Sequence, residues 1–296
     1  MAFTDIDNPE LFFQCKLYAG NDSGQSITLD GSEDMSPNMV WIKDRGGTDP
    51  HGLYDTVRGA LKQLRVNLTN EERTHAGTVT SFDSDGFTVG NDDGTNDTGH
   101  NFVSWNWKAG TSFSNDASAT SVGSIDSSGS INTTAGFSII SWTGTGSAGT
   151  IAHGLGATPE MYWVKNRDKS SQFAVFHKDI GNTHYLALND TDASADYDGY
   201  WSDTSPTSTV FSVGSDGDVS GASNEKVISY CFRSIQGYSK IGSYTGNGNA
   251  DGAFVYTGFR PAWIMIKKSS ATENWSIFDT KRNVNGTTNT LPINAD

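Results

Sequence analysis

The side chains able to do chemistry are present but do not assemble into a reactive set. The six histidines, His51, His75, His100, His153, His177 and His184, are scattered. None stands in a recognisable base–nucleophile context. There is no HExxH, GxSxG, P-loop or paired CxxC. The chain therefore reads as a non-enzyme with no catalytic residue and no cofactor. Two loops do concentrate functional groups. NDDGTNDTGH, residues 91–100, gathers Asp92, Asp93 and Asp97 around a glycine. Spaced oxygens of that kind suit calcium, though the EF-hand spacing is absent. An Asx-rich hairpin loop is the alternative. DASADYDGYWSD, residues 192–203, places Tyr197, Tyr200 and Trp201 in an acidic loop with no apolar pattern. Aromatic faces stack on the C–H surfaces of sugars while carboxylates take the hydroxyls. Those three residues are the candidate glycan-binding site. The competing expectation is that Tyr200 and Trp201 cap their own sandwich or pack on a neighbouring subunit.

These loops hang on a repeated scaffold. SPNMVWIKDR, GATPEMYWVKNR and RPAWIMIKKS carry Pro37, Pro159 and Pro261 into apolar runs that end in lysine. At one fixed distance beyond each proline stand Tyr54, Phe176 and Phe278, within LYDTVR, VFHKDI and IFDTKR. QLRVN and YLALN end at matching asparagines, Asn67 and Asn189, while LPIN ends slightly late at Asn294. GFTVG pairs with VFSVG, and FVSWNWK with VISYCFR, which aligns Trp105 with Tyr230.

The apolar runs MVWIK, MYWVK and WIMIK suit central strands covered on both faces. YLALN and GFTVG alternate as half-buried strands do. VSWNWK puts Val103, Trp105 and Trp107 on one face, with Ser104, Asn106 and Lys108 on the other. VRGALKQL, residues 57–64, reads as a turn into a strand, because its counterparts KDIGNTHYL and TKRNVNGTT are not helical. Each proline marks strand entry, where a missing N–H costs little, and the lysine end of the strand is expected in solvent. His177 replaces Asp55 and Asp279 of the sister copies, which suggests an exposed, substitutable turn.

The expected fold is all-β, with tandem β-sandwich or jelly-roll (lectin-like) modules of ~100 residues. Module one takes residues 1–110 with an N-terminal lead-in, and module two takes residues 136–235. Residues 111–135, rich in Ser, Gly and Thr, read as a linker. Residues 236–296 form a partial third module without counterparts of the FTVG and VSWNW strands. Such a module would expose sheet edges, so the chain is expected to continue, or another chain to supply the strands.

Composition agrees. The chain has 33 glycines in 296 residues and 18% charged residues, against a usual ~25%. Its net charge of -14 disfavours nucleic acid. Cys15 and Cys231 make no disulfide framework and read as buried strand residues. The N-terminus has no secretory signal pattern, and no apolar run is long enough to insert in a membrane.

The set P-x-M-x-W-[IV]-K-x-R, LYDTVRG, FxSDGFTVG and VSWNWKAG resembles the virion structural and tail-fibre-like proteins of environmental tailed bacteriophages. The opening MAFTDIDNPELFFQCKLYAGN is similar to their N-termini. The resemblance covers nearly the whole chain and is strongest in the first copy. It weakens in the third, where Met265 and Ser269 replace the tryptophan and arginine. It implies a virion protein assembled in the host cytoplasm. The best-fitting role is a tail fibre or its virion-proximal part, contacting other virion proteins and host surface glycan as a homo-oligomer, with a trimer favoured. A head fibre or capsid decoration protein is the first alternative, and a glycan-degrading tailspike enzyme the second.

Overall fold

The protein, described by a computed structural model over residues 4–282 and 290–294, is all-β. Residues 4–110 form strands β1 (Phe13–Ala19), β2 (Gln25–Thr28), β3 (Met39–Asp44), β4 (Gly52–Asp55), β5 (Lys62–Arg65), β6 (Arg73–Thr74), β7 (Val79–Asp83), β8 (Gly86–Val89) and β9 (Asn101–Trp107). A large sheet in the order β1-β9-β3-β4-β5-β6 faces a small one, β2-β8-β7. Next come β10 (Thr111–Asn115), β11 (Ser127–Asn132), β12 (Phe137–Thr143), β13 (Gly149–Ala152), β14 (Met161–Asn166), β15 (Phe173–His177), β16 (His184–Ala187), β17 (Ala195–Asp196), β18 (Val210–Val213) and β19 (Lys226–Phe232). Their large sheet runs β10-β11-β12-β19-β14-β15-β16-β17 over the pair β13-β18. From β12 onward its strand order repeats that of the first sheet position by position. A third sheet holds β20 (Trp263–Ile266), β21 (Ser276–Asp279) and β22 (Leu291–Pro292). All pairs of named strands are antiparallel. We call the three sheet systems units one, two and three.

Why β3 and β14 are apolar on both faces is visible in the packing. Val40 and Ile42 point toward the small sheet of unit one, among Ile27, Tyr54, Phe87 and Val89. Tyr162 and Val164 do the same in unit two. The opposite faces, with Met39 and Trp41, Met161 and Trp163, and Trp263 and Met265, meet in one core common to all three units. Trp41 packs edge-on against Trp163 (5.8 Å) and Trp107 against Trp263 (5.4 Å). The Val103–Trp105–Trp107 face is thus buried against other units, not within its own sandwich.

The seams between units repeat. Ser171 N donates to Thr69 O, Glu72 N to Arg167 O, and Lys165 Nζ to Thr69 O. Counted from the prolines, the same positions recur between units two and three. There Glu273 N donates to Thr191 O, Ser194 N to Ser269 O, and Lys267 Nζ to Thr191 O. The lysine ends therefore do not reach solvent as expected. Lys165 is fully buried, its Nζ donating to Thr69 O (2.9 Å) and Ser171 O (2.7 Å), and burial pushes its pKa down to about 8.

The turn assigned to Asp55, His177 and Asp279 also needs correcting. Asp55 and Asp279 are buried. Asp55 accepts from Arg58 Nε (2.5 Å) and from Tyr230 OH of unit two (2.6 Å). Asp279 is paired with Arg282 and accepts from Trp105 Nε1 of unit one (3.1 Å). The carboxylates are seam acceptors. His177, half-buried and with Ile180 in place of the arginine, has no such arginine pair.

Residues 111–135 are not a linker. Strands β10 and β11 extend the second sheet beyond β12, because Phe113, Ile125 and Ile131 pack on the core of unit two. VRGALKQL is a turn followed by β5, as expected, while most of TKRNVNGTT lies outside the described residues. Both cysteines are buried and free. In unit three, Phe254 (90% exposed) and Tyr256 (77%) lie in a segment without strands. No described helix is long and apolar enough to cross a membrane.

Candidate functional site

The aromatic loop does not offer the platform expected of it. A short helix, α1 (Asp198–Trp201), turns Tyr200 and Trp201 inward. Trp201 has no exposed surface, sits edge-on to Tyr162 (5.0 Å) and donates from Nε1 to His184 O (3.1 Å). Tyr200 is buried too, its hydroxyl donating to Asp218 Oδ2 (3.1 Å). Gly214 locks the helix from below, since a Cβ there would stand 2.0 Å from Gly199 O. Both rings are core. Tyr197 alone is open, 40% exposed, with its hydroxyl donating to Asp216 Oδ2 (2.8 Å).

What Tyr197 leans on is a side chain that the loop pattern did not reveal. Tyr185, on β16, lies 6.1 Å from Tyr197 and 4.5 Å from Tyr200, centroid to centroid. Its ring lines a cavity of about 320 Å³ that also takes in Gln172, Asp190, Asp192 and, from unit three, Thr272. Burial, and then Asp190, raise the Tyr185 pKa, so its hydroxyl stays protonated and able to donate. The first residue of YLALN was the available signal: alternation points Leu186 into the common core and Tyr185 to the opposite face, where it packs half-buried at the margin of the unit-two core. The cavity thus joins an aromatic wall to carboxylates and an amide at the seam of two units.

The acidic loop of unit one is regrouped as well. Asp92 turns away from Asp93 and Asp97, and its Oδ2 meets Arg73 (3.0 Å) and His75 (3.2 Å). Asp22 takes its place, so that Asp22, Asp93 and Asp97 bring carboxylate oxygens within 4.8 Å of one another. Calcium takes six to eight oxygens, and three carboxylates at this surface make an acidic patch without a built site. His100 stands beside it, bonded to Asp44 (2.7 Å), whose hydrogen bond raises the imidazole pKa. His51 and His153 are buried, and desolvation lowers them to about 3 and about 4, leaving both neutral at pH 7.

Asp92, Arg73 and His75 instead line a second cavity, of about 310 Å³, with Asp49, Gln63, Arg65 and Asp93 around it. Polar side chains dominate the second cavity, while the Tyr185 cavity mixes its polar groups with Leu186, Ala187, Ala193 and Ala195; both suit ligands that exchange hydrogen bonds.

No curated protein and no solved structure matches the chain. The DUF7483 family, described as a domain of unknown function, matches residues 8–296. The chain, with its sheets joined through one core and its two polar cavities, belongs to the DUF7483 family.

Proposed function

We propose that the chain is a non-catalytic virion protein of tailed bacteriophages. In this reading it is a tail fibre or its virion-proximal part, which binds host surface glycan and docks on other virion proteins. The resemblance of the P-x-M-x-W-[IV]-K-x-R, LYDTVRG, FxSDGFTVG and VSWNWKAG motifs supports the virion setting. The observation that carries the adhesive role is the Tyr185 cavity. An aromatic face, two carboxylates and an amide surround a space of about 320 Å³, the combination that holds a sugar ring by its C–H face and its hydroxyls. The three units share one core, and a cavity preformed between packed units binds at lower entropic cost. Assembly as a trimer is part of the same proposal.

The test incubates the purified chain with host polysaccharide, measuring both retention of the protein and the length of the sugar chains. Binding without shortening is expected, and Tyr185→Ala should weaken it by about tenfold or more, the scale of one lost aromatic contact. Release of oligosaccharides, or full binding by Tyr185→Ala, would overturn the proposal.

A further inference from the structure

The two cavities occupy the same place in their units. Counted from Pro37 and Pro159, Pro50, Gln63 and Arg65 correspond to Gln172, Tyr185 and Ala187. Strand register agrees, since Gln63 lies opposite Arg73 as Tyr185 lies opposite Ala195. One scaffold position therefore carries two different linings. In unit two the wall is aromatic and the charged groups are acidic. In unit one Tyr185, Ala187 and Ala195 give way to Gln63, Arg65 and Arg73.

The charges of the unit-one cavity are unequally used. Arg73 bonds to Gln63 Oε1 and to Asp92 Oδ2. Asp92 is nine-tenths buried at its side chain and holds His75 as well as Arg73 at the wall. Arg65, half-buried in the same wall, has no hydrogen bond or ion pair from its guanidinium among the described residues. Burial and the neighbouring Arg73 lower its pKa, as expected of a cation lacking its own counter-ion. Asp49 also lines the cavity, and Asp93 lies at its rim, its carboxylate beside those of Asp22 and Asp97. Asp49 is made harder to ionise by burial, and then by Asp44.

We infer that the unit-one cavity binds a carboxylate-bearing sugar, with Arg65 forking onto the ligand carboxylate and Asp49 accepting from its hydroxyls. This rests on the glycan-binding reading above and adds a second, chemically distinct subsite to it. A guanidinium matches a carboxylate through two parallel N–H···O bonds. A phosphate would bring a second negative charge toward Asp49, Asp92 and Asp93, which disfavours it. A neutral sugar would leave Arg65 without a partner.

Ligand-observed NMR titration of the full chain tests this, with glucuronate, glucose, acetate and alanine as probes. Glucuronate is expected to bind at least about tenfold more tightly than the other three. Arg65→Gln should remove about tenfold to a hundredfold of that affinity, the scale of a lost charge-assisted pair, and Arg65→Lys should restore part of it. Arg65 is half-exposed at a cavity wall, so the unfolding midpoint of Arg65→Gln should stay near wild type and certify the fold. Tyr185→Ala should leave glucuronate binding intact. Equal binding of glucose, or an Arg65→Gln variant that keeps glucuronate, would overturn the inference. Alanine competing as well as glucuronate would replace the sugar by a zwitterion and overturn it too. Glucuronate binding at Arg65 without polysaccharide binding would defeat the Tyr185 reading and leave this one standing. Polysaccharide binding at Tyr185 without glucuronate binding would do the reverse.

Discussion

Replacing Asp55 by alanine tests whether the units are joined by buried polar seams as well as by apolar contact. The carboxylate is fully buried and takes four donors. Val57 N (3.0 Å) and Arg58 N (2.8 Å) reach Oδ1, and Arg58 Nε (2.5 Å) and Tyr230 OH (2.6 Å) reach Oδ2. Asp55→Ala strips the main counter-ion from a guanidinium whose side chain has no exposed surface. Removing one partner of a buried pair costs ~3–5 kcal/mol. Here Arg58 keeps Glu72 (3.2 Å) and the carbonyls of Leu53 and Lys62, which pulls the cost toward the lower end. Orphaning the Tyr230 hydroxyl adds ~1–3 kcal/mol. We expect a loss of about 4 kcal/mol, read from urea unfolding followed by tryptophan fluorescence at pH 7. Trp41, Trp105 and Trp163 in the common core report the transition. Tyr230→Phe alone should cost ~1–3 kcal/mol, and the double variant should fall short of the sum by about 1 kcal/mol or more. A loss below ~1 kcal/mol for Asp55→Ala, or strict additivity with Tyr230→Phe, would refute the seam as described.

Two further outcomes follow from the same geometry. Trp201→Ala should destabilise the chain by ~3–5 kcal/mol, since it empties a closed core site; normal thermal unfolding with lost sugar binding would return Trp201 to a ligand role. Burial would raise the Glu72 carboxyl, but Arg167 and Arg58 outweigh it and hold the group below its usual range. Its folded pKa therefore lies under the unfolded ~4.3. The stabilisation is complete above that value and is lost as pH falls through the folded one. The stability gap between wild type and Glu72→Gln should be full at pH 7 and close toward pH 3, and a gap independent of pH would contradict the ion pair.

Much of the scaffold was legible in the sequence because strand periodicity is local. Val103, Trp105 and Trp107 announce a buried face, and MVWIK announces two. What lies against a face is not local. Asp55 differs from His177 locally only in the arginine three residues on, and its seam role comes from the hydroxyl of Tyr230, 175 positions away. Residues 111–135 looked like a linker because edge strands need few large side chains. Three residues, Phe113, Ile125 and Ile131, were enough to dock them. Trp201 escaped because a helix of four residues is too short to show a period. Tyr185 was within reach, since the two alternating runs QLRVN and YLALN differ first at that position.

The common core also imposes an order in time. Trp105 finds its acceptor on Asp279, 174 positions further along. At ~5–20 residues per second of synthesis, the ribosome needs roughly ten to thirty seconds to deliver that partner. Trp41 gains its Trp163 neighbour when unit two emerges, but Trp105 and Trp107 wait for Asp279 and Trp263 of unit three. The newborn protein is therefore at its most adhesive before it is finished, and toward its own siblings on the same polysome.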